Sequence, residues 1–440
     1  MNGFIELLQK VLMPIAAKMN ASKYIRAMRD GFVLSLAYTM VGSILTSIFS
    51  IPALADWFGA ETMGAIQAFV NPTTVMTNSI ISIFVVVGIG YSFANQEGGI
   101  NPLHGAATAL VMFLMTCPYT IDVGDGKTIT GLDFSYVGAK AIFTAIFFGF
   151  VGVKIYKWAV THKLSIKLPD SVPASIQDSF TSFLPAGMAM LIALVIRFLF
   201  GLTPQGNMTD FIFYWVQRPL SGIALSYPAM LLMGMLNNLF WFFGLHGQTM
   251  VSSVWRPFLT QASTENIEAL AAGQALPNLI NNGFSGSFIM YGFWISVPLL
   301  IALFLYTKRH KRNDWHDVAK IGLAPGLFNI YEPLMFGFPL VLNPFALIPM
   351  LLTPIISCTV GYFACLFGIL PYATGVGLPI TTPVVISGLL QFNSVTAGLI
   401  QLVLMIPLTA MWYLFLGIQD RSERQSGVYK EEEEESNAAK

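Results

Sequence analysis

Charge is the scarcest property of this 440-residue chain: Asp, Glu, Lys and Arg make up 10% of it, against 55% hydrophobic residues. Soluble domains carry about 25% charged residues. A water-facing surface cannot be built from so few charges, whereas a lipid-facing one can. No Asp, Glu, Lys, Arg or His occurs between Pro333 and Gln419. The 23 basic and 23 acidic residues cancel, leaving no basic excess for a nucleic acid or another polyanion. Cys117, Cys358 and Cys365 are scattered through apolar runs without CxxC or metal-ligand spacing. They read as inert buried thiols, and no cofactor or metal is expected. The chain has no Gly-x-x-x-x-Gly-Lys-Ser/Thr loop, so it does not hydrolyse ATP by itself. HExxH and a nucleophile elbow are absent too, and the membrane charges are too few for an Arg-rich voltage sensor.

Long apolar stretches recur instead. A spanning helix needs about 20 apolar residues for a hydrocarbon core about 30 Å thick. The spans read near 31–51, 76–93, 104–115, 136–158, 183–202, 220–243, 285–306, 344–366 and 397–416. Lys10, Lys18, Lys23, Arg26 and Arg29 precede the first, which puts the N-terminus in the cytoplasm. Within residues 1–29, Phe4, Leu7, Leu8, Val11, Leu12, Ile15 and Met19 recur at helical spacing between lysines. That pattern suits an amphipathic helix in the interface or a packed first helix, and not a cleavable signal peptide. The segment 118–133, with Asp122, Asp125 and Asp133, falls outside. Lys154, Lys157, Lys163 and Lys167 fall inside, as does the run Lys308-Arg309-His310-Lys311-Arg312.

Parity adds a span that hydropathy misses. The spans at 220–243 and 285–306 both end inside, so the chain must cross outward between them. The only candidate is 246–258 with its neighbours, too polar to face lipid. The expected fold is therefore an all-α polytopic membrane protein of about ten transmembrane helices. Two segments rich in Gly and Pro, 321–337 and 371–388, are left over. Irregular backbone at membrane depth is tolerated only where it lines a cavity, and both are predicted to be re-entrant hairpins. Residues 1–416 form the membrane domain and 417–440 a charged cytoplasmic tail. The block Glu431–Glu435 is expected to be disordered.

Two ionisable residues stand out. Among Asp, Glu, Lys, Arg and His, His246 is the sole residue between Arg218 and Arg256, on the polar crossing. Glu332 is the sole acid between Asp317 and Asp420, in a predicted hairpin. Such groups inside a membrane are costly and point to function. A satisfied core histidine and a helix-capping or loop-pinning carboxylate are the plainer readings. A buried carboxylate needs protonation or hydrogen bonds, and a polyhydroxylated ligand would supply them. Asn237, Asn238, Trp241, Phe242 and Phe243 precede His246. Amides beside an aromatic face suit a sugar, whose C–H side packs on the ring while its hydroxyls bond the amides. Ordinary core packing also accounts for Phe242 and Phe243. Arg197 reads as a snorkelling residue, and His104 is left open.

The motifs then resemble a known family. Residues 168–180, Leu-Pro-Asp-Ser-Val-Pro-Ala-Ser-Ile-Gln-Asp-Ser-Phe, are similar to the "PDSVPPAV…SF" segment of the lactose/cellobiose/diacetylchitobiose family of phosphotransferase system (PTS) permease IIC components. Residues 241–247, Trp-Phe-Phe-Gly-Leu-His-Gly, resemble its "WFFGIHG", and 324–333, Ala-Pro-Gly-Leu-Phe-Asn-Ile-Tyr-Glu-Pro, its "APGIFNINEP". Residues 12–16, 29–32 and 338–344 fit as well. The likeness covers residues 1–416. It implies ten transmembrane helices with two re-entrant hairpins, usually in a homodimer in the bacterial cell membrane with both termini cytoplasmic. It implies a bound sugar, typically a β-linked disaccharide such as cellobiose. A partner EIIB, fed by EIIA and HPr, phosphorylates the C6 hydroxyl. By resemblance, His246 and Glu332 contact that hydroxyl and Trp241 is a stacking platform. Asn238, Asn329 and Tyr331 complete the expected binding set.

The chain departs from the family pattern at Tyr331, where an Asn is usual, and at Ile380, where a Trp is usual. Both changes fall in the predicted site, and they argue for an altered substrate. The Cys-bearing IIB signature is absent, so EIIB should be a separate chain. The chain is not expected to catalyse alone; it would be the membrane subunit of a phosphotransferase complex. Glu332 could serve as general base and His246 as the orienting group. The rival is a proton-coupled secondary transporter with Glu332 and His246 as the relay.

Overall fold

The computed structural model describes residues 14, 18, 21–49, 57–123, 127–164, 166, 169, 173–290, 293–338 and 340–425. The N-terminal amphipathic stretch falls largely outside these residues, and Glu431–Glu435 wholly so. The chain folds around two separate apolar cores, one per half. The first half comprises α1 (Lys23–Phe49), α2 (Ala60–Val75), α3 (Ile81–Glu97), α4 (Pro102–Thr116), α5 (Ile142–Thr161) and α6 (Ala174–Gly201). Helices α1, α3, α4 and α5 pack around Val85, Ile89, Phe93, Phe113 and Phe148. The acidic loop 118–133 holds a short antiparallel pair, β1 (Thr120–Asp122) and β2 (Thr128–Thr130), with Thr120 opposite Thr130.

A link of α7 (Met208–Ile212), a π-helical turn and α8 (Arg218–Ala224) leads into α9 (Tyr227–Phe242). The span read at 220–243 is thus broken, with a 67° bend between the two parts. The break has a local cause. Ser226 caps α9 by accepting from the Ala229 N–H, and Pro228 in the first turn removes a donor from any continuous helix. The second half continues with α10 (Gly247–Ala271), α11 (Asn282–Ser285), α12 (Phe293–His310), α13 (Asn313–Leu327) and α14 (Glu332–Gly337). It ends with α15 (Pro344–Leu366), α16 (Ile386–Phe392) and α17 (Val395–Gln425). Its core includes Phe242, Phe284, Phe288, Trp294 and Trp412.

Among the described residues, five helical stretches are long and apolar enough to cross a membrane, or six if the bent pair counts as one span. The polar parity segment is a helix of 25 residues, α10. At about 1.5 Å per residue it is long enough to cross a hydrocarbon core. It packs against both α9 of the second half and α1 of the first. Helix α2 was not anticipated: no span or helix was read between the spans at 31–51 and 76–93. Of the two Gly/Pro-rich segments, 321–337 folds as the end of α13, a turn and α14, while 371–385 has no helix or strand.

The irregular 371–385 segment is held by buried amides. Asn266 and Asn281 each donate to the Ala373 carbonyl at 2.8 Å. Gln401 accepts from the Val385 N–H at 2.8 Å and the Gly388 N–H at 3.1 Å. Backbone groups away from water need such partners, or each costs about 1–3 kcal/mol.

Candidate functional site

The site is built where α9 ends and α10 begins. Gly247 makes that junction possible. A Cβ there would stand 1.9 Å from the Asn237 carbonyl oxygen and 2.8 Å from Trp241 Cδ1, so α10 can start against α9 only with glycine at this position. His246 is the N-cap of α10. Its Nδ1 accepts from the Thr249 N–H at 3.4 Å and lies 2.9 Å from the Thr249 hydroxyl. The imidazole is therefore fixed by its own helix while the residue stays exposed. That differs from the satisfied core histidine weighed from sequence.

Trp241 gathers the motifs. Its ring centroid lies 4.6 Å from that of His246 and 4.9 Å from that of Tyr331. The indole is 3% exposed and its Nε1 has no hydrogen-bond partner. An unpaired buried donor of this kind is costly, and the Trp412 Nε1 is a second one. Tyr331 is buried and immediately precedes α14. Glu332 opens that helix, so its backbone adjoins the cluster; its side chain lies outside the described part of the structure.

Asn329, in the turn between α13 and α14, has a left-handed backbone with φ of 64°. Its side-chain amide donates to the carbonyls of Ile380 at 2.7 Å and Thr382 at 3.2 Å. The two segments left over from span counting are thereby joined to each other. Asn238 is differently placed. Its amide donates to the Met350 carbonyl at 2.7 Å and its oxygen accepts from Asn237 at 2.9 Å, so it ties α9 to α15.

A cavity of about 310 Å³ lies further along α10; its lining includes Gln248, two residues after His246, but not His246, Trp241, Asn238, Asn329 or Tyr331 themselves. One wall is α10, through Gln248, Ser252 and Arg256; the facing wall is 377–380, including Ile380. Ligand sites are concave and mostly apolar with a few convergent polar groups, about 300–1,000 Å³ in size. Sequence reasoning missed Gln248, Ser252 and Arg256. The signal was their four-residue spacing on the polar crossing, which puts them on one face of a helix.

The other flagged residues lie elsewhere. His104 sits at the start of α4 in the first half, beside a 240 Å³ pocket with Asn101, Tyr156 and Ser182. Arg197 is more than a snorkelling residue. It donates to the carbonyls of Met115 at 2.8 Å and Cys117 at 2.6 Å, closing the C-terminal end of α4, and stacks over Tyr119. All three cysteines are free and buried.

The profile of the family described as "Phosphotransferase system, EIIC" matches residues 29–354. This chain belongs to the PTS EIIC family. A similar protein is the PTS system oligo-beta-mannoside-specific EIIC component of Bacillus subtilis (strain 168), 32% identical over 419 residues and 94% of each chain. The PTS system cellobiose-specific EIIC component of Geobacillus stearothermophilus is 30% identical over 436 residues, 96% of this chain and 95% of that one. The PTS system lactose-specific EIICB component of Staphylococcus aureus (strain N315) is 26% identical over 380 residues, 84% of this chain and 64% of that one. Among solved structures, the transporter ChbC, the IIC component of the N,N'-diacetylchitobiose-specific phosphotransferase system, superposes with a TM-score of 0.87 at 28% identity. That superposition covers 96% of this chain and 99% of the other. The chain is thus the EIIC permease component of a sugar phosphotransferase system and a multi-pass helical membrane protein. EIIC components work with EIIB and EIIA. The proton-coupled alternative is not favoured.

Proposed function

We propose that this EIIC component binds a β-linked disaccharide such as cellobiose and presents its C6 hydroxyl to an EIIB partner. The observation that carries this reading is the packing of one indole, Trp241, on both His246 and Tyr331. It unites the two motifs that a reactive hydroxyl would need. The sugar occupies the cavity between α10 and 377–380, with Asn329 fixing the second wall. Trp241 is the stacking platform for the C–H face, and since the indole is 3% exposed under His246 and Tyr331, one of those rings moves aside when the sugar binds. Glu332 accepts the proton of the reactive hydroxyl as general base, and His246 orients it. The phosphoryl group adds about −1.5 to −2 charges near pH 7, so the product leaves toward the cytoplasm and does not recross.

In the same reading the chain crosses the membrane ten times. Helix α10 is the polar crossing, and the 321–337 and 371–388 segments are re-entrant hairpins. Both termini are cytoplasmic, residues 1–416 form the membrane domain, 417–440 its tail, and the protein is a homodimer. Support comes from the length of α10, the charge placement and the extent of the likeness to ChbC.

The test uses Glu332→Gln. Phosphorylation of cellobiose in the presence of EIIB is expected to be lost, while binding falls far less. Equal loss of both would remove the general-base role.

A further inference from the structure

We propose that Arg256 is a specificity-determining residue that reads the sugar ring remote from the reacting hydroxyl, making α10 a ruler for substrate length. The inference rests on the sugar reading of the cavity above. Gln248, Ser252 and Arg256 stand four residues apart on one stripe of α10 and line the same cavity. At about 1.5 Å per residue they lie about 3, 9 and 15 Å along the helix axis from His246. One helical turn rises about 5.4 Å, close to the length of one pyranose ring. A single ring docked at His246 reaches Gln248 and approaches Ser252. A second, β-linked ring is needed to bring hydroxyls to Arg256.

Arg256 carries the sole charge among the residues lining the cavity. An arginine inside a membrane protein is costly, faces an interior cavity and marks a substrate path. Its five donors in a rigid fork suit a pair of neighbouring hydroxyls, to which it brings charge-assisted hydrogen bonds. On the facing wall Ile380 offers aliphatic surface in place of the ring usual in the family, so aromatic stacking there is replaced by apolar contact. Discrimination at the second ring then falls to Arg256.

The experiment measures equilibrium binding of cellobiose, β-1,4-mannobiose, glucose and mannose to the purified full-length protein and its variants. The wild type is expected to prefer a disaccharide over its monosaccharide. In Arg256→Ala disaccharide affinity should fall about tenfold to a hundredfold, as for loss of a charge-assisted bond, with monosaccharide affinity unchanged. Should Arg256→Ala fail to fold, Arg256→Lys carries the test: it keeps the charge, loses the fork and should lose affinity for the disaccharide alone. Equal loss for both sugar sizes, or undiminished disaccharide binding, would overturn the ruler and leave the sugar site standing. A wild-type protein that binds neither disaccharide would overturn the ruler and the sugar reading together.

Discussion

Between α1 and α3 the first half brings two backbones into contact: a Cβ on Gly88 would stand 2.7 Å from the Gly31 Cα. Its buried polar residues are mostly hydroxyls, Ser35, Ser82, Thr108, Thr116, Thr144 and Ser182 among them. The second half instead buries amides, among them Asn237, Asn238, Asn266, Asn281, Asn329, Gln391 and Gln401. Their partners are mostly backbone groups of irregular segments, above all 371–385. Helices satisfy their own backbone and need few outside hydrogen bonds. The second half can place loops inside the protein because side chains supply the bonds the loops lack. Both halves hold a pocket with polar walls, at His104 in the first and along α10 in the second, but only in the second does an irregular segment form one of the walls.

Breaking the comparison at its strongest point means Arg312, at the junction of α12 and α13. It is 2% exposed, ion-paired to the equally buried Asp420 at 2.7 Å and to Glu423 at 2.8 Å, and stacked on Trp315. Removing one partner of a buried pair costs about 3–5 kcal/mol when the other is left alone; Asp420 keeps Arg424 at 3.0 Å and the Tyr306 hydroxyl at 2.9 Å, which puts the loss at the lower end, about 3 kcal/mol. Arg312→Ala should lower the thermal stability of the detergent-solubilised protein by that order, more than any single amide change.

Asn266→Ala is expected to come next. It strands the Asn278 N–H and leaves the carbonyls of Asn278 and Ala373 to Asn281 alone, at about 1–3 kcal/mol for an unsatisfied buried group. Cellobiose affinity should fall with it, since 371–385 forms a cavity wall. A stability loss with affinity intact would mean that the wall does not depend on its amides. Gly88→Val probes the opposite kind of packing. Overpacking costs about 1–3 kcal/mol, and the folded fraction should bind cellobiose normally. If affinity drops as well, the two cores are not independent.

The smallest effect is expected at Glu97, at the end of α3. A hydrogen bond from Lys157 at 2.6 Å holds its carboxyl below the usual carboxylate range; burial opposes this, and Lys23 adds to it. With the folded value depressed, the stabilisation is present above the unfolded value and is lost as pH falls through the folded one. Partly exposed pairs contribute about 0–1 kcal/mol. Lys157→Met should therefore reduce stability slightly at pH 7 and not at all near pH 3, as read by melting curves across that window.

Much of this was legible beforehand, because hydropathy, charge bias and parity are additive along a chain. Parity put a crossing at 246–258, and α10 lies there as a helix. The polar stripe of α10 carried the information that Arg256 faces a cavity, yet a lone arginine far from a motif gave no reason to single it out. Asn238 was placed with the sugar ligands on residue type, and its hydrogen bond to the Met350 carbonyl, 112 positions away, is a long-range fact. Helix α2 escaped notice because tertiary contacts, including those with α1, override a weak local pattern.

The amino-acid sequence determined the membrane class, the family and the two motifs around His246 and Glu332. Each follows from local composition and spacing. Tertiary structure decided that Trp241 touches both His246 and Tyr331, that Asn329 joins the two irregular segments, and that Arg256 shares a cavity with Ile380. Apart from Trp241 and His246, which are close in sequence, those are meetings of residues about 50 to 125 positions apart, and only the packing of helices fixes which distant side chains meet.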